Sequence, residues 1–444
     1  MRDLTQGPIP GHLLTMATPI AAGMLAQTLY FLIDLYFVAQ LGDAALAGVG
    51  AAGIAMFVVM AATQALGVGA MALIAQAVGR KDPEDANLVF NQALALGAVC
   101  TIATVIAGYA TTRWYMGIVG ADAATAQAGT TYLYWFLPGL ALQYVNMVMM
   151  SALRGTGVVK PTMVVQVATV LLNAILAPVL IAGIGTGRPL GVAGAGLAST
   201  IAVAAGTVML VAYFHRLEKY VQFRRALWKP RMLVWARMVN IGAPAGGEFA
   251  MMFLLMAVIY WVIRDFGAAA QAGFGLGTRL MQSIFLPAMA IAFATGPVAG
   301  QNYGAKQFAR VRETLRSAVT MSVAIMIVLT LLCQWRPDWL VRGFTQDPAV
   351  IEVASHFLRL ISWNFAASGI IFTCSGVFQG LGHTWPALGS SASRLLTFML
   401  PALWLSTQPW LALDHVWYLS VASVWIQAGV SLVLVYRVMR RRLA

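Results

Sequence analysis

Three side chains near the start of the chain could move a proton or hold a cation in an apolar medium. Gln27, Tyr30 and Asp34 sit at i, i+3 and i+7, so a helix puts them on one face. They lie inside a run of about 27 mostly apolar residues. A lone carboxylate in such a run is costly and points to function by default. Its chemistry is reversible protonation or cation binding; the plainer alternative is a buried structural hydrogen bond. Glu248, four residues after Pro244, is the second such acid. It can bind a cation or proton, or pair with Arg279 as packing between helices. Asn173 is either a ligand to the same ion as Asp34 or a polar link between helices.

A second set of residues suits a substrate. Met60, Met251 and Met252 can line an adaptable pocket, as methionine does at promiscuous surfaces, with Gln64 and Gln282 as polar contacts. At helical spacing in apolar runs, the same methionines also read as plain core. Arg279 is placed at membrane depth, either as a substrate contact or paired with a carboxylate or helix carbonyls.

The elements that must position these residues are membrane helices. Of 444 residues, 60% are hydrophobic and only 10% charged, against about 25% charged in soluble proteins. The net charge is +13. Its basic residues form no single patch, which argues against nucleic acid. They cluster between alternate apolar runs instead. That asymmetry places both termini in the cytoplasm, and the expected location is a bacterial inner membrane. Twelve spanning helices are predicted, the tenth over about 350–377 and the eleventh over about 387–408. Cys100, Cys333 and Cys374 all lie in apolar runs and read as packing residues. No His-Glu-x-x-His, Walker A or Gly-x-Ser-x-Gly motif is present, so no enzyme and no ATP-driven step are expected. No cofactor is expected beyond the coupling ion, and a monomer is expected.

The chain repeats. Pro19 and Pro244 are 225 residues apart, as are Gly42 and Gly267, Gln76 and Gln301, Gly155 and Gly380, and Pro161 and Pro386. The expected organisation is therefore an N-terminal lobe over 1–214, a basic cytoplasmic linker over 215–237 and a C-terminal lobe over 238–444. The linker reads as a solvated connector that touches anionic lipid. An even number of helices per lobe makes the repeats parallel, related by a pseudo-two-fold axis along the membrane normal. The fold class is all-α.

These residues resemble the multidrug and toxin extrusion (MATE) family of secondary transporters over nearly the whole chain. The resemblance rests on Pro19 with Gln27-Thr-Leu-Tyr-Phe-Leu-Ile-Asp34, Ala75-Gln76-Ala-Val-Gly79, Arg154-Gly155-Thr-Gly157, Leu172-Asn173, Gly277-Thr-Arg279 and Gly300-Gln301-Asn302-Tyr-Gly304. The first helix is most similar to the prokaryotic branch with the DNA-damage-inducible members. The resemblance implies two six-helix lobes in a V with alternating access. It implies export of organic cations or amphipathic drugs against inward H+ or Na+. It also implies a hinge at Pro19 that responds to protonation of Asp34. One departure bears on the ion. Relatives often carry an Asp four residues after the Asn, where this chain has Ala177. A Na+ site prefers several oxygen ligands and more than one negative charge, so H+ is expected and Na+ is the alternative. A lipid-precursor flippase of the wider superfamily is a further alternative, and would favour a strongly cationic cavity.

Overall fold

The computed structural model describes residues 1–185 and 187–442. Every regular element among them is helical. The long helices are α1 (Ile9–Ala39), α2 (Asp43–Gly79), α3 (Pro83–Val119), α4 (Ala123–Gly155), α5 (Lys160–Ile181) and α6 (Val192–Arg216), then α7 (Met232–Val262), α8 (Ala268–Gly304) and α9 (Phe308–Trp335). A short α10 (Pro337–Arg342) precedes α11 (Pro348–Ile361), α12 (Phe365–Gly380), α13 (Trp385–Arg394), α14 (Leu400–Leu405) and α15 (Leu413–Arg442). Starts follow local chemistry. Pro83 opens α3 behind Asp82, whose carboxylate accepts from Asp85 N, and Asp122 caps α4 by accepting from Thr125 N at 2.7 Å. That hydrogen bond holds the Asp122 carboxyl below its ordinary pKa.

Eleven helices among the described residues are long and apolar enough to cross a membrane, with α11 and α12 together counting as one. Between those two, Ser362–Asn364 form a tight turn. Thr330 and Gln334 of α9 donate to the Ser362 carbonyl and hydroxyl there, and so satisfy polar groups the break leaves free. The predicted eleventh helix is present only in three pieces: α13, a π-turn at Leu395–Met399, and α14. The cause is Pro401. It has no N–H and its ring clashes with the carbonyl four residues back, so the ladder widens just before it.

The chain divides into two compact units. The first holds Met1–Asp3 and Ala22–Gly246, and the second holds Leu4–Ala21 and Gly247–Ala444. Both α1 and α7 change unit within one turn after their proline, Pro19 and Pro244.

In the first unit, Phe90 stacks on Phe214 at 4.9 Å within a core that includes Ile74, Val78 and Leu153. A second core joins Val38, Tyr132, Phe136 and Ala177. Helices α2 and α7 meet backbone to backbone. A Cβ on Gly242 would strike the Ala65 carbonyl, and one on Gly69 would strike the Met238 carbonyl. Backbone cannot swing aside as a side chain can, so Gly242→Ala is expected to cost about 1–3 kcal/mol or more. A clear drop in the melting temperature of the purified variant checks this; an unchanged value would mean the helices separate freely.

The linker is not solvated along its length. Three amide side chains of α3 hold its backbone. Asn87 donates to Tyr220 O and accepts from Gln222 N; Asn91 donates to Gln222 O and accepts from Arg224 N; Gln92 donates to Lys229 O and accepts from Arg231 N. Val221 is fully buried beneath it. The basic side chains Arg224, Arg225 and Lys229 point outward and account for the solvated look of the sequence.

In the second unit, Phe274 stacks on Trp417 at 5.6 Å and meets Phe357 edge-on, at the centre of its larger core. The N-terminal segment is tied in beside α8. Leu4 N donates to Gln301 Oε1 at 3.0 Å, and Asn302 Nδ2 donates to Leu4 O at 3.1 Å. Arg310 donates to Asn302 and to Gly7 O.

The 225-residue repeat extends to backbone conformation. Lys81 (φ 57°) and Lys306 (φ 58°) are repeat partners, and are the non-glycine residues with positive φ among the described residues. Each ends its helix in the same turn: Asp82 N donates to Ala77 O, and Gln307 N to Asn302 O. Gly157 (φ 76°) and Gly382 (φ 66°) repeat the pattern at the ends of α4 and α12.

Candidate coupling and substrate sites

In the first unit, α1 presents Tyr30 and Asp34, each 8% exposed, toward α4, α5 and α6. Asp34 lies near Tyr30 and near Tyr132 of α4. Asn173 of α5 is 1% exposed, and its Nδ2 donates to Ser199 Oγ of α6 at 3.4 Å. The Tyr30 hydroxyl lies near the same two residues. Asp34 Oδ1, Asn173 Oδ1 and Tyr30 OH are all buried and lack a hydrogen-bond partner. Buried polar atoms are nearly always satisfied, so these atoms single the cluster out as a candidate site. Gln27 is only half-buried on the same helix. Ala177 is fully buried in the neighbouring apolar core and supplies no oxygen.

Tyr132 and Ser199 carry no sequence signal of their own, since each is an ordinary polar residue in an apolar helix. Gly23 is the repeat counterpart of Glu248 and had a readable role. A Cβ there would strike the Gln166 side chain, so the glycine admits that amide against α1. On α2, Met60 is exposed and Gln64 is half-buried.

In the second unit, Glu248 of α7 does not pair with Arg279. Its partner is Ser375 of α12, whose hydroxyl donates to Oε2 at 3.0 Å, and Gln379 Nε2 donates to that hydroxyl in turn at 3.4 Å. The reason is geometric: Glu248 faces Ser375 of α12, while Arg279 faces a separate cavity. That cavity, about 490 Å³ in volume, is walled by α7 and α8 and lined by Met256, Tyr260, Arg279 and Gln282 among others. Met251 packs on the core of the unit and Met252 is 46% exposed; neither lines this cavity. The residues expected to bind substrate are thus split between places rather than gathered in one.

Spanning helices that carry buried acids define a polytopic membrane protein. The chain belongs to the MatE family, whose model matches residues 19–179 and again 244–404. The two matches start at Pro19 and Pro244, at the spacing of the internal repeat. The chain is 25% identical over 403 residues to a protein named FAD transporter from Shewanella oneidensis, covering 90% of this chain and 88% of that one. It is 24% identical over 422 residues to the multidrug export protein MepA of Staphylococcus aureus, covering 94% and 92%. A MOP-superfamily transporter structure from Pyrococcus furiosus superposes with a TM-score of 0.92 at 23% identity, over 99% of this chain and 98% of that one. An outward-facing MATE multidrug-resistance transporter superposes at 0.93 and 22% identity, with the same coverage. At such identities these two structures speak for the fold alone.

Proposed function

We propose that the protein is a secondary active multidrug antiporter that exports organic cations and amphipathic compounds in exchange for H+. Relatives named for multidrug export support the efflux reading, and the FAD transporter relative supports small-molecule transport more broadly. The observation that carries the coupling ion is Asp34: a buried carboxylate with an orphan oxygen, beside Tyr30 and Asn173, and with Ala177 where a second acid would help hold Na+. A charge there has no counterion among its neighbours. Neutralising it with a proton, and releasing that proton when the site opens to water, needs no further ligand. Pro19 leaves the Thr15 carbonyl without its helical donor, and Thr15 and Thr18 back-bond to Gly11 O and Leu14 O. Such a stretch bends easily, which suits a hinge in the helix that carries the acid, about 22 Å along its axis from Asp34. In this reading the chain works as a monomer in the bacterial inner membrane with both termini cytoplasmic. Its lobes span 1–214 and 238–444, joined by the linker 215–237.

The test is substrate-driven proton release from purified protein, with and without Na+ at constant pH. Release that is independent of Na+ is expected. A saturable Na+ requirement, lost in Asp34→Asn, would show that the coupling ion is Na+.

A further inference from the structure

We propose that the cavity between α7 and α8 of the second unit is an oxyanion subsite, taking the carboxylate or phosphate of an aromatic amphipathic compound. This rests on reading the chain as a small-molecule transporter, and it extends the substrates beyond cations.

Arg279 lies eleven residues into α8, about 16 Å along its axis from Ala268. A guanidinium is always charged, and at such depth it must face protein or water rather than lipid. It is exposed into the cavity, and no ion pair among the described residues includes it. No acidic side chain lines the cavity, which argues against a cation as its occupant.

The rest of the wall fits an anion with a ring attached. Gln271, Gly275, Arg279 and Gln282 follow one another along one face of α8, so two amides flank the guanidinium. The guanidinium fork matches a carboxylate or phosphate with two parallel hydrogen bonds. Met256 and Leu276 add apolar wall. Tyr260 is held edge-on against Phe274 at 4.9 Å, and its hydroxyl rests over Gly275, where a Cβ would stand 2.9 Å from it. The volume suits a drug-sized ligand.

The repeat supplies an internal control. At the same positions the first half has Phe31, Leu35, Leu46, Ile54 and Phe57 in place of Met256, Tyr260, Gln271, Arg279 and Gln282. The shared helix pair therefore needs no polar group here. One half alone carries a cation, two amides and a phenol, which packing does not require.

The test is equilibrium binding to the purified full chain, without an ion gradient. The probes are 2-naphthoate, 2-naphthyl phosphate and the neutral isostere 2-naphthamide. An anionic probe should bind more tightly than the amide. Arg279→Gln should weaken the anions by about tenfold and the amide hardly at all, and Arg279→Lys should fall between, since it keeps the charge and loses the fork. Tighter binding of the phosphate would identify phosphate as the natural group, and tighter binding of naphthoate a carboxylate; either supports the subsite. Equal affinity for the anions and the amide, or an equal loss of all three in Arg279→Gln, would overturn it. If Arg279→Gln does not fold, unchanged anion binding in Arg279→Lys and in Gln271→Leu would overturn it as well. Because no gradient is present, the result is independent of whether Asp34 couples transport to H+.

Discussion

Cells carrying Asp34→Asn should be as sensitive to a transported drug as cells without the protein, with the transport rate down by about 100-fold or more, or about 2.7 kcal/mol in the barrier. Asparagine keeps the size of the side chain and can still meet Tyr30 and Tyr132. What it loses is the ability to carry a proton in one state and a charge in the other. Since Asp34 Oδ1 has no partner, the substitution breaks no hydrogen bond at that atom. Expression and melting temperature should therefore stay near those of the wild type. Full resistance in a strain making the variant at normal levels would remove Asp34 from the coupling step.

Glu248→Gln should weaken the apparent affinity for a cationic dye by about tenfold, or ~1.4 kcal/mol, and affect a neutral amphipathic substrate less. A carboxylate in a low-dielectric setting attracts a desolvated cation far more strongly than it would in water. Glutamine still offers an oxygen to the Ser375 hydroxyl, so the Gln379–Ser375 chain has a place to end. Because Arg279 is not the partner of Glu248, the substitution strands no buried cation. Equal losses for both substrates with a lowered melting temperature would assign Glu248 to the scaffold.

The helices and the repeat were legible because both rest on local pattern. Apolar runs mark the spans, and paired prolines and glycines at one offset mark the duplication. Asp34 was legible for the same reason, since a lone acid stands out in an apolar run. Its neighbours were not. Tyr132 and Ser199 come from other helices, and nothing near them in sequence says which way they face. Ser375 is 127 residues from Glu248, and only tertiary packing brings them together, so Arg279 was the more natural guess from charge alone. The broken eleventh span is a different case. Pro386 and Pro401 were in plain view, but apolar content dominates a reading of spans and hides an interruption of one turn. The linker misled through its side chains. Its arginines and lysines do face water, while its backbone answers to Asn87, Asn91 and Gln92, which look like ordinary polar residues at the start of α3.

Those three amides bear on how the chain is made. At the matching positions of the second half stand Arg312, Arg316 and Ser317, so the three amides that hold the linker are particular to the first half. The first six helices thus carry a template for the stretch that leaves them. As synthesis proceeds, residues 220–231 can dock onto α3 before the eighth helix exists, and α7 then starts at Met232 from an anchored point. The seam between the two halves of the repeat is therefore held to the first half at three points and is not a loose tether.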